Sequence, residues 1–297
     1  MVVGFDITFP EPDRSIRDLL EPVDLSKLGS SFNETLLAIE PQINADQYFA
    51  RAMQSGIDTV LAINFNPQSD AAYNELPASI VEVDEGLARR ITVQDMSGYT
   101  GNITILQDAA LGNDSMNQAP DADGIVRRVP LVIRFGTELF PTLSLEMFRV
   151  YNFIESYELV TQVYGDVDVV KAVRVGKGAG SFEIPTDGFG QVNVPYVAGS
   201  SLGNNEHFPY ISATDVLRDN LSEEERAALE NALVLVGTSA PGLGDIRAMP
   251  LQQVYPGVEV HANMLNALLE SSTVLEVSSG TASTESVFDG FSCPVSL

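Results

Sequence analysis

Apolar residues fall along the chain in short blocks, and the spacing within those blocks switches between the periods of a helix and a strand. Val2 to Phe9 (VVGFDITF) reads as a buried strand that empties into a loop at Pro10-Glu11-Pro12. Residues 14–40 are mixed and give no clear period. Asn44 is placed to cap a helix in which Tyr48, Phe49, Ala52 and Met53 fall at helical spacing, and Gly56 supplies a stop. Thr59 to Phe65 (TVLAINF) follows as a strand, completing a helix-to-strand unit of an α/β fold. Residues 67–101 carry no period. Asn102 to Gln107 suggests a short strand, and Gly112 to Asp123 reads as a polar loop.

Further along, Leu131 to Phe135 reads as a strand, and Pro141 opens a helix with Leu143, Met147, Val150 and Tyr151 on one face. Alternation in Phe182 to Ile184 and in Gln191 to Tyr196 predicts a hairpin around Asp187-Gly188. Ser212 with Asp215, and Ser222 with Glu225, have capping-box spacing, and the second opens a charged helix. Ala232 to Val236 (ALVLV) is wholly apolar, as in a strand buried on both faces. It runs into a glycine-rich loop, Gly237 to Asp245, and a last helix follows Pro256-Gly257 with Val260, Met264, Leu265, Leu268 and Leu269 on one face. The pattern predicts one large α/β domain: a central, mostly parallel or mixed sheet with helices on both faces.

Charge narrows the function classes. Against 41 acidic residues stand only 16 basic ones, giving a net charge of −25. Such a surface repels phosphate backbones and anionic lipid headgroups, which argues against nucleic-acid binding. With Cys293 as the single cysteine, neither an internal disulfide nor a cysteine-rich zinc site can form. The opening Met1-Val2-Val3-Gly4 reads as strand rather than signal peptide, and no apolar run reaches transmembrane length.

Seven segments in order resemble one family. They are GFDITFPEP (4–12), LGN (111–113) with DADGIVRRVPL (121–131), FPTLSLEMF (140–148), IPTDGFGQVNVPY (184–196), FPYISATDVLRD (208–219), ALVLVGTSAPGLGDIRAMPL (232–251) and YPGVEVHANMLNALLE (255–270). The chain is similar to the type-two CHASE domain, the extracellular sensory module associated with cyclases, such as adenylate cyclase, and with histidine kinases. The resemblance implies a non-enzymatic, extracytoplasmic input domain of a bacterial membrane receptor, without cofactor. It would be anchored by membrane helices and followed by a cytoplasmic nucleotide cyclase, kinase or phosphatase. It also implies a strand and helix ahead of Gly4 and membrane helices after the last helix. Neither stands in this sequence, so the expected layout is a domain over 1–271 lacking its first strand and helix. A disordered or non-native tail over 272–297 follows, and the lost strand would leave an open sheet edge.

The residues themselves offer one candidate crevice. Ligands of α/β sheets sit outside the carboxyl ends of the strands. Asp6 ends the first strand, and Thr238, Ser239 and Asp245 lie in the loop after Val236. Thr238 and Ser239 offer donors; Asp245 and Asp6 offer acceptors. The bland alternative is a turn whose glycines permit φ > 0 and whose Asp245 caps a backbone, with the Asp6 and Asp245 carboxylates in a structural ion pair with Arg127 or Arg128. Asp123 and Arg127 are further contributors, and strand alternation allows only one of Arg127 and Arg128 to face a given crevice. Asp121-Ala122-Asp123-Gly124 is not an EF-hand, because Ala119 and Pro130 would occupy the first and twelfth positions, so no metal site is expected. His261 reads as a satisfied, half-buried histidine, although Ser239, His261 and Asp245 would make a hydrolytic triad on paper. His207 reads as an exposed loop residue, and the Gly176 to Gly180 run lacks dinucleotide spacing. The leading expectation is thus a sensor of an unknown small molecule that forms a homodimer. The alternatives are an α/β hydrolase-like enzyme and a ligand-free dimerisation module.

Overall fold

The structure, a computed structural model, describes residues 1–14, 29–118, 120–177, 181–197, 208–238, 246–250, 255–270 and 295–296. Seven elements build its centre in chain order: β1 (Val2–Phe5), α1 (Ala45–Gln54), β2 (Asp58–Asn66), β3 (Gly112–Ser115), α2 (Leu143–Tyr151), β4 (Leu233–Val236) and α3 (Gly257–Glu270). The strands run parallel in the order β4-β1-β2-β3, with Val2 beside both Leu233 and Asp58, and Val60 beside Gly112. Val295–Ser296, within the segment expected as a tail, lies parallel to Leu233–Val234 on the outer side of β4. The far end of β2 pairs antiparallel with Gly98–Thr100, and the sheet is therefore mixed.

Parallel strands need long crossovers, and here helices cover both faces of one domain. The alternation along β2 sorts its side chains. Val60 and Ala62 join the larger core with Leu143, Met147, Val258 and Val260. Leu61 faces the other way, into Ala50 and Met53 of α1 and into Leu106. On that second face Phe5, Phe9 and Phe49 stack edge to face, with centroids 5.4–5.8 Å apart. Asn44 caps α1, its side chain accepting from the Gln47 amide. α2 starts two residues later than Pro141 suggests: Pro141 ends a strand, and Thr142 is the cap.

Three segments differ from their sequence pattern. Residues 104–107 are a helical turn rather than a strand, with Leu106 buried between α1 and the sheet. Gly112–Ser115, polar enough to read as loop, is the fully buried strand β3. The Asp187 turn forms, but the strands either side of it do not pair with each other. Phe182–Pro185 joins Val167–Val175, whereas Gln191–Asn193 joins Arg128–Pro130. Ser222 and Glu225 form the reciprocal capping box, whereas Ser212 caps a short helix without a side-chain bond. β4 is buried on one face only, at Leu233 and Leu235.

α2 lies against β1 and β3 at two glycines. A Cβ on Gly4 would stand 2.1 Å from Met147 Sδ, and one on Gly112 would stand 2.3 Å from Glu146 Oε1. Glu146 is fully buried and receives a two-pronged contact from Arg149, Nε to Oε2 at 2.7 Å and Nη2 to Oε1 at 2.7 Å. Arg149 also donates to the Ile154 and Leu111 carbonyls. Asp114 faces the same cluster. Burial, and then the charge of Glu146, push its carboxyl well above the usual range; burial also raises Glu146, with Arg149 opposing. One guanidinium thus serves two buried carboxylates.

Gly112→Ala should cost about 2–3 kcal/mol in urea unfolding, because the new methyl group displaces Glu146 from Arg149. Asp114→Asn should act oppositely at high pH. A raised native pKa contributes stability below the unfolded value of 3.8 and loses it as pH rises through the native pKa. The neutral amide removes that loss, so the variant should gain on the parent protein from pH 4 to pH 8, read as the difference in urea midpoints.

Candidate functional site

The carboxyl ends of β1, β3 and β4 meet the first turns of α3. Asp6 follows β1, its amide donating to the Val236 carbonyl at 2.8 Å, so β1 and β4 stay paired up to the point where their loops diverge. Alternation turns Asp6 to the same face as Val2 and Gly4, the face that α3 covers. There its Oδ1 lies 3.8 Å from Nε2 of His261, and each side chain is only 2% exposed. The His261 ring hydrogen-bonds the Met116 backbone just past β3. Its Nε2 makes no hydrogen bond among the described residues. Burial pulls the pKa of His261 down to about 4, so the imidazole is neutral at neutral pH.

α3 is held in place on every side. Gln118 donates to the Gly257 carbonyl at 2.8 Å, and a Cβ on Gly237 would come within 2.7 Å of Val258. Gly237 therefore serves close packing rather than a positive φ. Asn263 bonds three ways: it accepts from the Val197 amide at 2.8 Å and donates to the Tyr255 hydroxyl and the Glu259 carbonyl, each at 2.7 Å. The Tyr210 phenol donates to the buried Glu259 carboxylate, and burial raises the pKa of that phenol. Glu259, His261 and Asn263 are all buried on α3 in addition to its apolar stripe.

Of the residues singled out in the sequence, Asp6 lies at this strand end, and Thr238 follows β4, half-buried. Ser239 and Asp245 lie outside the described residues, as does His207. His261 is fully rather than half buried, and the carboxylate beside it is Asp6. Only its place on α3, one turn before Leu265, hinted at that burial.

Asp123 and Arg127 belong to a separate cluster. Arg127 grips Asp121 at 2.9 Å and Asp123 at 2.8 Å; Arg128 grips Asp121 at 2.8 Å and Asp187 at 3.2 Å. The two arginines meet at one carboxylate despite strand alternation, because Arg127 precedes the strand Arg128–Pro130 and both side chains are long. Arg127 holds the Asp123 carboxyl down at about 2. The tight acidic turn is closed by the Gly124 amide on the Asp121 carbonyl, with Gly124 at φ +81. Among the described residues no group of three or more His, Cys, Asp or Glu is placed to hold a metal, and no helix is long and apolar enough to cross a membrane.

Fold and site together define an α/β domain with a buried Asp6–His261 contact at the carboxyl ends of parallel strands. The CHASE2 domain model matches residues 1–288, and the chain belongs to that family. It is an extracytoplasmic domain with a sensory role. No curated protein and no solved structure matches it.

Unfolded histidine takes up a proton near pH 6.5, whereas native His261 waits until about pH 4. Its depressed pKa therefore makes folding stability drop between those values as the solution is acidified, by about 3 kcal/mol in all. His261→Gln should abolish this component. Urea titrations of both proteins between pH 7 and pH 4 measure it, and parallel curves would refute the assignment.

Proposed function

We propose that this domain is the input module of a bacterial transmembrane receptor. It binds a small molecule at the carboxyl ends of β1, β3 and β4 and passes the signal to a cytoplasmic nucleotide cyclase, kinase or phosphatase. The observation that carries the reading is the Asp6–His261 contact. Two ionisable side chains are buried together where a parallel sheet offers its ligand crevice, and the sheet's own packing requires neither. Asp6 and His261 form the floor of the site, and Thr238, just past β4, forms its rim. Asp123 and Arg127 brace a neighbouring turn through each other. A ligand would signal only through a difference in affinity between two arrangements of the domain, such as two dimer packings.

The test is a thermal-shift screen of the chain against small metabolites, anions and divalent cations. A true ligand at about 100 times its dissociation constant adds about 2.7 kcal/mol and should raise the melting temperature by about 5–10 °C. The rise should vanish in Asp6→Asn while that variant still melts cooperatively. A flat screen of a cooperatively melting sample would overturn the reading in favour of a ligand-free dimerisation module.

A further inference from the structure

A long two-stranded ribbon lies outside the central sheet. Tyr157–Tyr164 and Val167–Val175 form an antiparallel ribbon, with Gly165 at φ +62 in the tight turn between them. The inner strand, Val167–Val175, is flanked on both sides, by Tyr157–Tyr164 and by Phe182–Pro185. The outer strand is flanked on its far side only at Tyr157 and Glu158, which lie beside Val81 and Glu82. From Leu159 to Tyr164 that far edge has no partner among the described residues.

This edge carries none of the devices that keep sheet edges apart. The sequence Leu159-Val160-Thr161-Gln162-Val163-Tyr164 holds no charge, no proline and no glycine, and four of its six residues are β-branched or aromatic. The ladder has one irregularity, and its register places the extra residue, Lys171, on the inner strand, so the outer edge stays regular. Lys171 Nζ instead sits 5.3 Å from the centre of the Tyr164 ring. Val163 is 66% exposed and Tyr164 50% exposed at the free end.

We infer that this edge pairs with the same edge of a second copy of the chain, antiparallel about a two-fold axis through Thr161. Charge selects the occupant. At a net charge of −25, most of the surface of one copy repels another, and a neutral strand is where two copies can meet without opposing carboxylates. Geometry agrees. Two strands related by a two-fold axis normal to the sheet keep the same faces, so residues of like parity oppose each other. With Thr161 on the axis, Leu159 opposes Val163 and Val160 opposes Gln162. The Tyr157 amide already points outward, to the Ile80 carbonyl, so alternation directs the amides of Leu159, Thr161 and Val163 outward as well. These three residues pair with one another across the axis and satisfy their backbone groups. The inference is independent of the ligand reading.

Sedimentation velocity on the full chain should show a concentration-dependent dimer. Thr161→Lys sets like charges face to face at the axis and should raise the dimer dissociation constant at least about tenfold, with the monomer's melting unchanged. Leu217→Lys, at a side chain 87% exposed elsewhere, should leave it unaltered. In a Cys293→Ser background, Thr161→Cys should oxidise to a disulfide-linked dimer, because residues opposed at such an axis have Cα atoms about 5.5 Å apart. A chain that stays monomeric at every concentration overturns the inference. So does a dimer that is indifferent to Thr161→Lys and fails to cross-link at position 161.

Discussion

The two helices that cover one face of the parallel sheet press on it where the strands carry no side chain: Gly4 beneath Met147, Gly112 beneath Glu146, and Gly237 beside Val258. A Cβ at any of these positions would stand within 3 Å of its neighbour, so helix and strand sit nearly backbone to side chain. The rest of the domain follows from that closeness. α2 and α3 pack against each other over β1, and their inner faces bring Val260, Met264 and Leu265 into one core with Val60 and Leu143. The layer is too tight to admit water easily, so every polar group beneath it needs a partner within the protein.

The buried polar groups around the sheet meet this demand to different degrees. Asn102 and Asn117 act as pieces of backbone where strands diverge. Asn102 accepts from Phe9 and donates to the Ala62 carbonyl, while Asn117 accepts from the Phe65 amide and donates to its carbonyl. Glu146 is matched by Arg149. Asp114, sharing that arginine, and His261, kept neutral beside Asp6, are matched less fully, and their proton affinities shift in consequence. The first lies in the middle of a strand and ties a helix to the sheet. The second lies at the strand ends, where a ligand would approach, and that position separates a structural burden from a candidate site.

The sequence disclosed the elements whose apolar period is long enough to read. β1, β2, α1, α2, β4 and α3 each carry a run or stripe of at least three apolar positions, and Asn44 and Ser222 mark helix starts through side chains that bond the backbone as their spacing predicts. Residues 67–101 were illegible because their strands are two or three residues long, too short for alternation to register. β3 was misread for a chemical reason: Gly-Asn-Asp-Ser has the composition of a turn, and only hydrogen bonds to distant residues make it a buried strand. At the site, Asp6 was legible from its place at a strand end. The burial of His261 was not, because it arises from contact with β1 and β3, which lie far from α3 in sequence.

The ribbon of residues 157–175 presents the opposite case, since its signal was present locally: two β-rich runs around Tyr164-Gly165-Asp166-Val167. What the local pattern could not convey was position. A neutral, regular strand placed inside a sheet is ordinary, whereas the same strand on an edge leaves a row of unmet backbone donors and acceptors. In a chain this acidic, solubility is secured by repulsion nearly everywhere else, so the absence of charge over six residues has the sense of a permitted contact. A sensory domain that switches between two dimer arrangements needs one contact that holds and another that shifts. The backbone-paired edge, whose register is fixed by hydrogen bonds, suits the first role, and the strand ends, where Asp6 and His261 are buried side by side, suit the second.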